Sequence, residues 1–335
     1  WNRTTFDRVF GGLESERLVV SMKYGETDFF RYLPLNKLFF RSDHLKIIEL
    51  QARREYEGFG EYPSFVGWDY EDYVRQLAGA RNVLGAWIWC QTGGWSGFRR
   101  RTFLEPGGVW NEINAVVSLH LVRDGQSADD AVGAWARERL GPEKSERLLV
   151  LLRLSDETIK EGLYIDEFAR RKLFFRRLRV PPLLHVFWDH IVISHSMRKL
   201  LRCYVRDPAG KTTQSWAALD KIRSMRSLAA ELGLPVQDFD FQYDTFRMLA
   251  AAREYYFGIF GPDRVERLYA LRAAYERKYP AHYAVRLDFS RFRMPRYQLR
   301  LAFALFFRSQ RGYRWLDRLL LIRLLSLLSP LLALR

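Results

Sequence analysis

Strand-like and helix-like runs alternate over the first 140 residues, and from about residue 143 the strand signal gives way to helical spacing. Short apolar runs separated by amphipathic helices are the pattern of parallel βα units, because parallel neighbours need a crossover long enough to hold a helix. "RLVVSMKYG" (17–25) is a β-branched run that stops at a glycine. "LKIIELQARREYEGFG" (45–60) has a period of two, with Glu49, Gln51, Arg53 and Glu55 on one face and Ile48, Leu50, Ala52 and Tyr56 on the other. "NVLGAWIWCQTGG" (82–94) is a third apolar strand, ending in polar residues and glycines. Between the last two, "DYEDYVRQLAGA" (69–80) puts Tyr70, Tyr73, Val74 and Leu77 on a helical stripe. "WNEINAVVSLHLVRDG" (110–125) is a helix closed by a glycine. The helix in "SADDAVGAWARERLGP" has Ser127 as N-cap, Asp130 three residues on and Gly141-Pro142 as its stop.

Strands alternating with helices fit an open doubly wound sheet or a (β/α)8 barrel, and a closed barrel needs eight strands. The expected architecture is α/β followed by all-α: the C-terminal part of a (β/α)8 TIM barrel over residues 1–125, then a mostly α-helical domain over 126–335. "SERLLVLLRLSDETIKEGLYIDEFARRKLFF", "TTQSWAALDKIRSMRSLAAELGL" and "DRVERLYALRAAYERKY" supply the helical spacing of the second part. The chain opens at Trp1 with no initiator methionine and no signal-like segment, which suggests a fragment or a processed chain.

A hydrophobic content of 48% with 15% aromatics excludes a mainly disordered protein. Two cysteines, Cys90 and Cys203, make neither a disulfide framework nor a four-ligand zinc site. His185, His190 and His195 stand five apart in "HVFWDHIVISH", a spacing that turns successive helical side chains by about 140° and off any shared face. No metal and no cofactor are therefore expected. His44 and His120 are isolated, with His44 the nearer in sequence to the acidic residues considered below.

The net charge is +15, and residues 286–335 hold eleven arginines against two aspartates, a net +9. Such a tail suits nucleic acid, anionic lipid or an acidic partner. Its basic and aromatic interleaving, "RLDFSRFRMPRYQLRLAFALFFRSQRGYRW", comes with no nucleic-acid-binding motif, so no nucleic acid is expected. The final stretch, "YRWLDRLLLIRLLSLLSPLLALR" (313–335), is interrupted by Arg323 and Pro330, which argues against a membrane span. A helix packed into the domain or against a second subunit is the expectation, with membrane-surface contact as its rival.

Polar groups collect where the strands end: Lys23, Glu26 and Asp28, then Arg53, Glu55 and Glu57, then Gln91 and Thr92. In a barrel, that end of the strands holds the active site. Paired carboxylates there suit acid–base work on a glycosidic bond, while the same residues on an ordinary surface would be solvated ion pairs. Tyr24, Phe29, Tyr56, Phe59, Trp87, Trp89 and Trp95 add aromatic surface of the kind that stacks on sugar rings or packs a barrel.

These residues resemble glycoside hydrolase family 67, the α-glucuronidases. "MKYGETDFF" is similar to that family's strand-end signature, a lysine, any residue and a glycine followed shortly by Asp-Phe. "IIELQARREYEGFG" is similar to its later strand, and "VLGAWIWCQTGG" with "WNEINAVVSLHLVRDGQSADDAVGAWARERLG" to its last strand and the helices after it. The resemblance implies an inverting hydrolysis of a uronic-acid glycoside, with Asp28 and Glu55 on the base side of the reaction and Lys23 at the uronic carboxylate. Tyr24, Arg53, Trp89 and Gln91 are the further substrate-binding candidates. It implies an oligosaccharide or uronide substrate, allows a homodimer through the helical domain, and leans towards a cytoplasmic setting. The sequence departs from the family at Glu26-Thr27 and Arg53-Arg54, and nothing in it matches the family's general acid, which is expected upstream of Trp1. The other reading is a non-catalytic, barrel-derived binding or assembly protein whose arginine-rich helical tail docks on a partner or a membrane surface.

Overall fold

The computed structural model describes residues 3–25, 28–58, 61–90, 108–169, 190–195, 205–259, 261–279 and 286–290, with positions 198, 202, 295, 297, 298, 300 and 301. Helix α1 (Arg3–Phe10) precedes three strands, β1 (Val19–Lys23), β2 (Leu45–Gln51) and β3 (Val83–Trp89), which pair in parallel in the order β1-β2-β3. Lys23 lies opposite Glu49 and Glu49 opposite Trp87, so the two faces of the sheet follow directly from the alternation along each strand.

One face is apolar. Val20 and Met22 of β1 and Ile48 and Leu50 of β2 are buried. Helix α2 (Gly67–Leu77) reaches this core through Tyr70 and Tyr73, both within ring-contact distance of Tyr24, and α3 (Val109–Asp124) lies against β3. The other face carries Ser21 and Lys23, Ile47 and Glu49, and Trp87 and Trp89. Ser21 Oγ donates to Glu49 Oε1 at 2.5 Å, while Trp87 and Trp89 are 54% and 44% exposed.

The β2 pattern holds only to Gln51. Beyond it the chain turns, so Arg53 and Glu55 do not continue the face of Glu49 and Gln51. The alternation in sequence outlasts the strand because a turn can carry the same spacing of polar residues.

Helix ends follow local chemistry. Ser127 caps α4 (Ala128–Arg139) by accepting from the Asp130 N–H at 3.1 Å, and α3 ends at Gly125 with φ 64°. Helices α5 (Ser145–Leu163) and α6 (Asp166–Ala169) follow, and α7 (Pro208–Leu232) begins at the Asp207 cap and ends at Gly233 with φ 78°. Helices α8 (Gln237–Phe257) and α9 (Pro262–Lys278) complete the helical part, with α7 set against α5 and α8 and α9 set against α8. Fifteen of the 21 residues of α8 are buried, as expected of a helix enclosed on most sides.

The helical part also holds a second parallel pair, β4 (His190–Ser194) with β5 (Arg286–Ser290), where the sequence suggested no strand. A five-residue run such as "HIVIS" reads equally as a helix segment, and its partner lies far along the chain. The hydrophobic core is continuous across the boundary expected at residue 125: Tyr62 packs edge-on against Phe246 at 5.2 Å, and Trp110 against Phe239 at 6.0 Å. The architecture is thus mixed α/β, a small parallel sheet joined to a larger helical part. Residues 313–335 lie outside the described residues, and among those described no helix is long and apolar enough to cross a membrane.

Candidate active site

The end of β1 delivers Lys23 to the mixed face and Tyr24 to the core. Immediately after them the chain doubles back, with Gly25 bridging antiparallel to Leu35. The glycine is required by close approach rather than by an unusual dihedral. A Cβ on it would sit 2.3 Å from Leu33 Cδ1 and 3.2 Å from the Asp28 carbonyl oxygen.

This fold-back sets Asp28 beside Lys23. Lys23 Nζ is 2.5 Å from Asp28 Oδ1, which also accepts the Phe29 N–H at 3.0 Å, and the Tyr56 hydroxyl donates to Oδ2 at 2.8 Å. Lys23 lies over the Phe29 ring at 4.3 Å, and Phe30 stacks on Tyr56 at 3.9 Å. The Asp28 carboxylate is therefore held from both sides by groups of β1 and of the segment after β2.

Gln51, the last residue of β2, organises the second acid. Its Oε1 accepts the Glu55 N–H at 2.9 Å, while its own backbone N–H and carbonyl are both bonded to the Tyr70 hydroxyl. Burial pushes the Glu55 carboxyl above its ordinary range and the charge of Asp28 adds to this; Lys23 and the Gln51 side chain pull the other way. Burial and Asp28 also push the Tyr56 phenol far up, so Tyr56 remains a hydrogen-bond donor. A carboxyl that holds its proton more tightly is a stronger base once ionised, and Glu55 stands beside a carboxylate that is already engaged.

Lys23 and Asp28, expected near one another from the sequence, are paired in the fold, and Glu55 after β2 is near enough to feel the charge of both. Tyr56 was legible only as an aromatic on the apolar face; its position next to Glu55 was the available signal. Tyr24 and Arg53 sit elsewhere than a substrate-binding role requires. Tyr24 is fully buried, stacks on Tyr73 at 4.8 Å and donates to the Phe30 carbonyl at 3.0 Å. Arg53 is 1% exposed, drawn inward by the turn after β2. Trp89 remains accessible on the mixed face beside Trp87, ring centroids 5.9 Å apart. Gln91, with Glu26, Thr92, Phe59 and Trp95, lies outside the described residues.

Glu57 turns away from the strand ends into a buried ionic network. It accepts from Arg31 Nε at 2.7 Å and from the Tyr164 hydroxyl at 2.9 Å. Arg31 also reaches Asp156 of α5 at 2.7 Å and Asp69 of α2 at 3.0 Å, and Arg54 donates to Asp69 at 2.6 Å. Lys160 completes the set on Asp156 at 2.5 Å. The network joins the segments that follow β1 and β2 to α2 and to α5 of the helical part.

His44 precedes β2, at the opposite end of the sheet from Asp28 and Glu55, and its Nε2 is 2.8 Å from the Leu13 carbonyl. His120 pairs with Asp124 on the outside of α3 at 2.7 Å. Among the described residues no cluster of histidine, cysteine and carboxylate side chains is arranged to hold a metal ion. No protein-family model matches the sequence, and no curated protein matches it.

Proposed function

We propose that this chain carries the base side of a glycoside hydrolase site of the α-glucuronidase kind, within a domain built as the C-terminal part of a (β/α)8 barrel. The observation that carries the reading is the clasp on Asp28 by Lys23 of β1 and by Tyr56 of the segment after β2, which puts the neighbouring Glu55 within the field of the Asp28 charge. In this reading Glu55 takes a proton from the attacking water, and Asp28 orients that water and keeps the proton affinity of Glu55 high. Lys23, still 31% exposed at its side chain, offers a cation to the uronic carboxylate. Attack from the face opposite the leaving group inverts the anomeric centre, and no general acid is assigned to this chain. Trp87 and Trp89 supply exposed aromatic surface beside the site for a sugar ring.

The test is release of uronic acid by the full chain from an aryl α-glucuronide, whose leaving group departs without a general acid, with the anomer of the fresh product read by NMR. Glu55→Gln is expected to lower turnover by roughly 10²–10⁴-fold. Near-normal turnover of that variant, or product of retained configuration, would sink the reading. Wild-type turnover no faster than the uncatalysed background would do the same.

A second reading is favoured by the exposure of Trp87 and Trp89 on an open sheet face. There the same face is the contact surface of a non-catalytic binding or assembly protein, and Trp87→Ala would weaken association while Glu55→Gln would leave it unchanged.

A further inference from the structure

A groove of about 710 Å³ opens on the helical part between α7, α8 and α9, apart from the strand-end carboxylates. Three arginines line it, Arg223 of α7, Arg247 of α8 and Arg267 of α9, against the single carboxylate of Asp220. Two of the guanidiniums are braced by aromatic rings. Arg267 lies over Trp216 at 4.7 Å, and Arg223 lies over Tyr243 at 4.9 Å and donates to its hydroxyl. Both rings pack against the core behind them. Stacking restricts a guanidinium without using its outward N–H groups, so less freedom is lost when an oxyanion binds.

The remaining partners are two carboxylates, Asp220 exposed and Glu254 partly so. Arg223 Nη1 donates to Asp220 at 2.8 Å, and Arg267 Nη1 to Glu254 at 3.2 Å. Surface pairs of this kind contribute little and exchange readily for a ligand oxygen. Arg247 is exposed and pairs with no carboxylate among the described residues.

We infer that this groove binds a small organic polyanion, a molecule bearing two or more phosphate or carboxylate groups, through Arg223, Arg247 and Arg267. Its volume is that of a small-ligand site. Its chemistry also separates it from a single-stranded nucleic-acid site. Such sites present open ring faces for bases to stack on, whereas Trp216 and Tyr243 are backed by the core and covered by arginine.

The test is calorimetric titration of the full chain in 150 mM-class salt, at ionic strength about that of a cell, with inositol hexakisphosphate and with citrate as probes. Saturable binding of one or both is expected, and which one binds tells phosphate from carboxylate chemistry. The triple variant R223Q/R247Q/R267Q is expected to lose roughly tenfold or more in affinity per arginine that contacts the ligand. A charge-matched control, R8Q/R137Q/R277Q, changes three exposed arginines away from the groove and is expected to bind as the wild type does. Unchanged circular dichroism and thermal melting of the triple variant would assign its loss to the groove rather than to folding. Equal losses in both variants would reduce the effect to net charge and overturn the assignment. So would the absence of binding by either probe, or an oligonucleotide that binds through the three arginines and is not displaced by the small probes.

Discussion

Arg31 grips Glu57 with two parallel contacts, Nε to Oε1 at 2.7 Å and Nη2 to Oε2 at 3.3 Å, and both side chains are essentially cut off from solvent. A bidentate pair of this kind is geometrically specific as well as strong. Removing one member leaves the other buried and short of its counter-charge. Glu57→Gln is therefore expected to destabilise the protein by about 3–5 kcal/mol. Urea denaturation checks this, and a loss below about 1 kcal/mol would mean that the pair behaves like a surface one.

The same network sets the response to acid. Burial pushes the Asp69 carboxyl up, yet Arg31 and Arg54 prevail and hold it at about 2. Its folded-state affinity for the proton is thus below the unfolded one. The stabilisation it provides is complete above the ordinary aspartate range near 4 and is lost as pH falls from there through about 2. Acid titration followed by circular dichroism should show Asp69→Asn flattening the stability profile in that window.

Asp28→Asn removes one of the two influences that raise Glu55, leaving burial. The Glu55 carboxyl should then titrate at lower pH, visible in a carbon-detected NMR titration, and the acid limb of any activity should move down with it. For folding the sign is opposite to that of Asp69. A raised carboxyl favours the folded state below the ordinary glutamate range, and this contribution is lost as pH rises through the raised value. Unchanged titration of Glu55 in the variant would separate the two acids.

Gly25→Ala should cost about 1–3 kcal/mol, since the new methyl would overlap Leu33 Cδ1. Gly25→Ala should cost less in a Leu33→Ala background than in the wild type, measured as the change in thermal midpoint within each background. An equal cost in both would mean that the clash is with the Leu33 Cβ or the Asp28 backbone instead.

Ser127→Ala removes the side-chain acceptor for the Asp130 N–H at the start of α4 and should cost about 1 kcal/mol. Ser127→Asp should keep most of that stability, and denaturation midpoints of the three proteins decide it.

Much of this fold can be read from short stretches. The three strands, the tyrosine stripe of α2, the Ser127 cap and the Gly125 stop each depend on residues within a few positions of one another. Lys23 and Asp28 are also close in sequence, and their pairing could be anticipated. The inward turn of Arg53 could not, because alternating polar residues look alike in a strand and in the turn that ends it. Nor could the pairing of β4 with β5, which joins a short apolar run to a partner almost a hundred residues away.

Local propensity and spacing already set which segments become strands or helices and where caps and stops fall, because those choices are made by steric and hydrogen-bonding preferences over a few residues. Packing alone decided that Tyr24 would serve the core, that Tyr56 would hold Asp28, and that Arg31 would meet an aspartate 125 positions further on. The reason is energetic. A buried charge is tolerable only where the assembled chain brings it partners, and those partners belong to elements that no local pattern links.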